Sequence, residues 1–130
     1  MFIKRFEASD GDLSVYGLWQ RLGKDYLLSL WGGVAHIGAA GMAQSRPSLA
    51  DPARLSATAS VFCYLGHKED GVVKTASERL AAALNARVVV VAGLHWDNLQ
   101  PDQIERVLAN VTRLLEQIID FERASLTHGG

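Results

Sequence analysis

Cysteine is nearly absent from this chain. Cys63 is the only one, so no disulfide can form within it, and its neighbours Val61, Phe62, Tyr64 and Leu65 suggest a thiol in a buried strand. An excess of charge of either sign is also lacking. Thirteen basic residues stand against fourteen acidic ones, and no Lys/Arg cluster carries interleaved aromatics, so a nucleic-acid partner is not expected. No apolar run approaches membrane-spanning length. The opening Met1-Phe2-Ile3-Lys4-Arg5-Phe6-Glu7 has the character of a strand rather than of a signal peptide, so a cytoplasmic protein without membrane contact is expected. The common catalytic signatures are missing too: there is no Gly-x-Ser-x-Gly elbow, no Walker A loop, no Gly-x-Gly-x-x-Gly fingerprint and no cysteine placed as a nucleophile. That pattern favours binding over catalysis, and no enzyme is expected.

What remains is an ordinary globular composition, 48% apolar and 21% charged over 130 residues, enough for one core and one domain. The domain is expected to span 1–125, with 126–130 as a flexible tail. The first half alternates β-prone runs with turn signals. Leu13 to Leu22 and Tyr26 to Trp31, separated by Gly23-Lys24-Asp25, predict a hairpin whose second strand is interrupted at Gly32-Gly33. Further strands are expected over His36 to Ala43 and Ala57 to Leu65, with a loop from Gln44 to Leu55 around Pro47 and Pro52.

The period then changes. Val73, Ala76, Leu80, Ala83 and Leu84 recur at helical spacing up to Asn85. Arg87 to Ala92 is a β-branched run suited to a central strand ended by Gly93. Pro101 suits a first helical position, and Ile104, Val107, Leu108, Val111, Leu114, Leu115, Ile118 and Ile119 form a single apolar stripe behind it. The predicted fold is α+β, an antiparallel-dominated sheet with two helices packed on one face. The other face then needs cover for Trp19, Trp31 and Phe62, which a symmetric homodimer would supply.

Three segments place a histidine beside glycine where a strand ends or a helix begins: Gly32-Gly33-Val34-Ala35-His36-Ile37-Gly38, Gly66-His67-Lys68-Glu69-Asp70 and Gly93-Leu94-His95-Trp96-Asp97-Asn98. Glycine allows close approach of a backbone, and helix-start N–H groups bind anions, so Gly66, His67 and Lys68 suit a phosphate. The plainer alternative is that Lys68 and Glu69 are solvated and Asp70 is an N-cap. Likewise His36 can be a hydrogen-bonded core residue, and Asp97 and Asn98 can simply shape the turn before Pro101. His36, His67 and His95 together would suit a transition metal, but their spacing is not that of a tight ligand set, and no metal is assigned.

Taken in order, Gly33-Val34-Ala35-His36-Ile37-Gly38-Ala39, His67-Lys68-Glu69-Asp70 and Ala92 to Asn98 resemble the LpdD-like family of prenylated-flavin chaperones, from about residue 10 to 120. The resemblance implies a homodimer with the fold of eukaryotic proteasome-assembly chaperones. It also implies binding of reduced prenylated FMN, made by a flavin prenyltransferase, and its delivery to an apo UbiD-type hydroxyarylic acid decarboxylase for maturation. Gly33, His36, Gly66, His67, Lys68, His95, Trp96, Asp97 and Asn98 are the candidate cofactor-binding residues. Trp96 and Leu94 depart from the family pattern, which has a smaller residue and an isoleucine there, and both departures bear on pocket size. The rival readings are an assembly factor that holds a decarboxylase subunit through apolar surface alone, and a metal-dependent enzyme built on the three histidines.

Overall fold

A computed structural model describes residues 1–64, 66 and 69–129, with side chains as far as Leu126. The described residues form strands β1 (Ile3–Ala8), β2 (Val15–Leu22), β3 (Asp25–Gly33), β4 (Ala39–Pro47) and β5 (Leu55–Cys63), helix α1 (Asp70–Leu84), strand β6 (Arg87–His95) and helix α2 (Pro101–Gly129). α2 thus continues into the segment expected as a tail. The strands make one sheet in the order β1-β2-β3-β6-β4-β5. Every neighbouring pair is antiparallel except β3 and β6, which run parallel. The predicted antiparallel-dominated sheet with two helices is what forms.

The register explains the layering. Across the sheet, Gly17, Leu30, Ala92 and Ala39 share one face, as do Trp19, Leu28, Val90 and Gly41. Both helices lie on this face. α1 contributes Val73, Ala76, Leu80 and Ala81 to the core, and α2 contributes Val107, Val111, Leu114, Leu115, Ile118 and Ile119. Gly17 and Gly41 matter here because a Cβ would press on Leu114 at the first and on the Val73 carbonyl and Ser77 at the second. The absent side chains let the helices settle close to the sheet.

Several boundaries differ from the sequence reading. β3 is not interrupted at Gly32-Gly33, because Gly32 pairs with Leu94 and Gly33 with His95 at the end of the parallel ladder. For the same reason β6 passes through Gly93 to His95. His36 lies in the loop between β3 and β4, and the loop around the prolines shrinks to 48–54. β5 begins at Leu55 and ends at Cys63, which is half-buried at the sheet edge rather than in the core. α1 ends where Asn85 adopts a left-handed conformation and returns its N–H to the Ala81 carbonyl.

Trp19 is the clearest correction. It is fully buried beneath α2, with its Nε1 donating to Glu122 Oε1 at 2.9 Å, so it needs no partner chain to cover it. Trp31 and Phe62 do lie on the open face, along with Leu18, Leu27, Ala40, Met42, Val89 and Val91. Met42 and Phe62 are 62% and 63% exposed, which leaves a broad apolar surface uncovered in the single chain. Among the described residues no helix is long and apolar enough to cross a membrane.

Candidate functional site

Three chain segments meet at one end of the sheet: the β3–β4 loop, the start of α1, and the end of β6 with the turn after it. Backbone hydrogen bonds stitch them together. Val34 N–H donates to the His95 carbonyl at 2.9 Å and Gly38 N–H to that of Ala92 at 2.8 Å. The glycines are there because the segments touch. A Cβ on Gly93 would collide with the His36 carbonyl, one on Gly38 with the Glu69 carboxylate, and one on Gly32 with the Trp96 indole. Gly33 has φ +64 and lies against the His95 carbonyl, so its conformation and its surroundings both call for glycine.

Glu69 is the hub. The plainer alternative from sequence has it solvated with Asp70 as N-cap, yet Glu69 itself occupies the cap position and is only 6% exposed. Its Oε1 accepts from Leu94 N–H at 3.3 Å and lies 3.0 Å from His36 Nε2. His36 Nδ1 faces the Val34 carbonyl at 2.8 Å, which can only accept. The two ring nitrogens of His36 thus bridge the β3–β4 loop backbone and the Glu69 carboxylate. A signal for Glu69 is present in the sequence after all: Glu69, Val73, Ala76 and Leu80 fall on one helical stripe, and all four are buried.

Trp96 forms a wall beside this hub. Its indole covers Gly32 and Gly33, and its Nε1 donates to the Asp12 carbonyl. The turn that carries Asp12 is braced by α2: Arg106 Nη2 donates to Asp10 at 2.6 Å, and Asn110 Nδ2 donates to the Leu13 carbonyl at 2.9 Å. The Arg106 hydrogen bond holds the Asp10 carboxyl below its ordinary titration range.

Between these groups and α2 opens a cleft of about 450 Å³, lined by Gly66, Glu69, Val72, Leu94, His95, Trp96, Leu99 and three α2 residues, Ile104, Val107 and Leu108. Ile104 and Leu108 belong to the apolar stripe expected to be buried, yet each is 46% exposed because it faces this opening. Val72, Ile104 and Leu108 also line an adjoining groove of about 510 Å³ between α1 and α2. A largely apolar cleft of this size with two polar side chains, Glu69 and His95, in its lining suits a small organic molecule.

Of the residues expected at a site, Gly66, His95 and Trp96 line the cleft and Gly33 lies under Trp96. His36 stands behind the wall on Glu69, its ring edge-on to that of His95 at 6.3 Å. Asp97 is exposed and hydrogen-bonds His95 Nε2 at 3.1 Å, while Asn98 takes a left-handed turn conformation, φ 59; neither lines the cleft. His67 and Lys68 lie outside the described residues. Among the described residues no group of three or more histidine, cysteine, aspartate or glutamate side chains is arranged to hold a metal. The residues that sequence reading missed are Glu69, Gly38, Val72 and the two exposed α2 positions.

The fold is similar to that in the crystal structure of a chaperone complex for yeast 20S proteasome assembly, with a TM-score of 0.52 over 97% of this chain and 99% of that one at 11% identity. No curated protein matches the chain in sequence. The family model for the prenylated flavin chaperone LpdD-like domain matches residues 9–122, which take in all three histidine-bearing segments and the whole cleft, and the chain belongs to that family.

Proposed function

We propose that this chain, a chaperone by family and not an enzyme, binds reduced prenylated FMN in the cleft between α1, α2 and the end of β6, and hands it to an apo UbiD-type decarboxylase. The observation that carries the reading is the cleft itself: apolar walls, an aromatic side at Trp96, and the buried Glu69–His36 pair as a polar anchor. An isoalloxazine is flat and apolar on its faces and polar along one edge, which matches that distribution. The phosphate belongs away from the Glu69 carboxylate, and the segment proposed to take it is Gly66, which lines the cleft, with its sequence neighbours His67 and Lys68. The bound cofactor would do its decarboxylation chemistry in the client. Here the chain's part is to hold it and release it. A flavin prenyltransferase is the upstream donor, and a second copy of the chain covers the open sheet face to give a homodimer.

Anaerobic titration with reduced prenylated FMN, using FMN as control, tests this through intrinsic tryptophan fluorescence and native mass spectrometry. Saturable binding of the prenylated form, weakened by Lys68→Ala, is the expected result. A correctly folded protein that binds neither flavin would overturn it. The exposed Leu18, Met42 and Phe62 favour one second reading, an assembly factor that grips a decarboxylase subunit through the open face without touching cofactor. In that case Phe62→Ser abolishes decarboxylase binding while flavin has no effect on melting temperature.

A further inference from the structure

β5 is an edge strand. Its nine residues, Leu55-Ser56-Ala57-Thr58-Ala59-Ser60-Val61-Phe62-Cys63, pair with β4 along their full length and, among the described residues, with no strand on the other side. Exposed edges normally carry charge, proline or a bulge that discourages pairing with another chain. The opposite edge, β1, follows that rule with Lys4, Arg5 and Glu7. β5 has neither a charged residue nor a proline, and its register with β4 is free of bulges. α1 packs on the helix face of β5, with a hollow of about 330 Å³ left between Leu55 and Ala57 on the strand and Thr75, Glu78 and Arg79 on the helix, and β4 is the strand's one hydrogen-bonded neighbour among the described residues.

Five residues in the first two thirds of the strand also read the same in both directions, Ser-Ala-Thr-Ala-Ser around Thr58. Antiparallel pairing of two copies about a two-fold axis through Thr58 sets Thr58 opposite Thr58, Ser56 opposite Ser60, Ala57 opposite Ala59 and Leu55 opposite Val61. Hydroxyls then meet hydroxyls on the open face, with Thr58, Ser56 and Ser60 in line with Gln44, Arg46 and Met42 of β4. Apolar side chains meet apolar ones on the helix face. Like-with-like Thr and Ser pairs are favourable cross-strand neighbours, and a self-complementary patch is what a two-fold contact requires. We infer that β5 joins two copies of this chain edge to edge into one continuous sheet, a contact distinct from the open sheet face and independent of any bound flavin.

Register-specific crosslinking tests the inference. In a Cys63→Ser background, Thr58→Cys is expected to form a covalent dimer on mild oxidation. Ser56→Cys and Ser60→Cys alone should not crosslink, whereas a mixture of the two should. Thr58 is solvent-exposed, so Thr58→Lys leaves the core intact and sets two ammonium groups face to face on the axis. Light scattering should then show the particle mass lowered by at least half. A wild-type monomer, a mass unchanged by Thr58→Lys in a protein of unchanged circular dichroism, or crosslinking at Ser56 or Ser60 alone in place of Thr58 would each overturn it.

Discussion

His36 Nε2 lies 3.0 Å from Glu69 Oε1, and this bond ties the β3–β4 loop to the first turn of α1 at the inner wall of the cleft. Removing the carboxylate takes the acceptor from the part-buried Leu94 N–H and breaks the tie to the His36 ring. Glu69→Ala is therefore expected to cost about 2 kcal/mol and to lower the melting temperature by about 5–10 °C. Glu69→Gln keeps an acceptor and should cost less. Thermal melts of both variants beside His36→Ala check this, and a silent Glu69→Ala would refute the hub.

The glycines of the site should differ in how badly they tolerate alanine. At Gly93 the new methyl meets the backbone carbonyl of His36, which cannot swing away, whereas at Gly38 it meets the end of the Glu69 side chain. Overpacking of this kind costs about 1–3 kcal/mol, and Gly93→Ala is expected at or above the top of that range, with Gly38→Ala below it. Urea unfolding midpoints give the order.

Trp96 is held from both sides, by Gly32 and Gly33 beneath it and by the Asp12 carbonyl at its Nε1. Trp96→Ala removes the aromatic wall and should weaken binding of reduced prenylated FMN about tenfold, or about 1.4 kcal/mol. Trp96→Phe should retain most of the affinity. Equal affinities in all three proteins, measured by the anaerobic titration, would place the ligand elsewhere.

The Asp10 brace predicts a pH dependence. Its carboxyl is depressed below the ordinary 3.8, chiefly by the Arg106 hydrogen bond, and Arg106 is raised in return by the same bond. A carboxylate with a lowered folded-state value contributes stability that is fully present above its unfolded value and is lost as the pH falls through the folded one. Asp10→Asn should thus be less stable than wild type at neutral pH, with the gap closing as the pH drops below 3.8. Melting curves of the two proteins across that range decide it, and a gap that stayed constant into acid would count against the brace.

At the far end of the sheet, Glu122 is 2% exposed and accepts from Trp19 Nε1 and Arg21 Nε, each at 2.9 Å. Glu122→Ala leaves both donors without their acceptor and should cost about 3 kcal/mol. Arg21→Ala should cost less, since the Arg21 side chain is already 31% exposed. Chemical unfolding of the two variants tests the ranking.

Much of the architecture is legible in residue order alone. The hairpin at Gly23, the valine run of β6, the stripe from Val107 to Ile119 and Pro101 at the start of α2 all follow from periodicity and backbone preference, which are local properties. Strand ends were harder to place. Gly32, Gly33 and Gly93 look like breaks in a sequence, but they are close-approach points between segments paired across the sheet, and glycine marks both situations with the same letter.

By itself, the sequence determined the periods, and with them the helices, the strands and the face each helix buries. Only the tertiary structure decided which polar residues go inside. Glu69 is buried because the β3–β4 loop brings His36, and β6 brings the Leu94 N–H, to a carboxylate that would otherwise be solvated. Ile104 and Leu108 remain exposed because α2 diverges there from α1 and the end of β6 to leave a cleft. Trp19 and Trp31 are both tryptophans on neighbouring strands, and they lie on opposite faces because their positions differ in parity within the paired register of β2 and β3. Burial of a polar or aromatic side chain depends on what arrives from distant parts of the chain, and no local pattern carries that information.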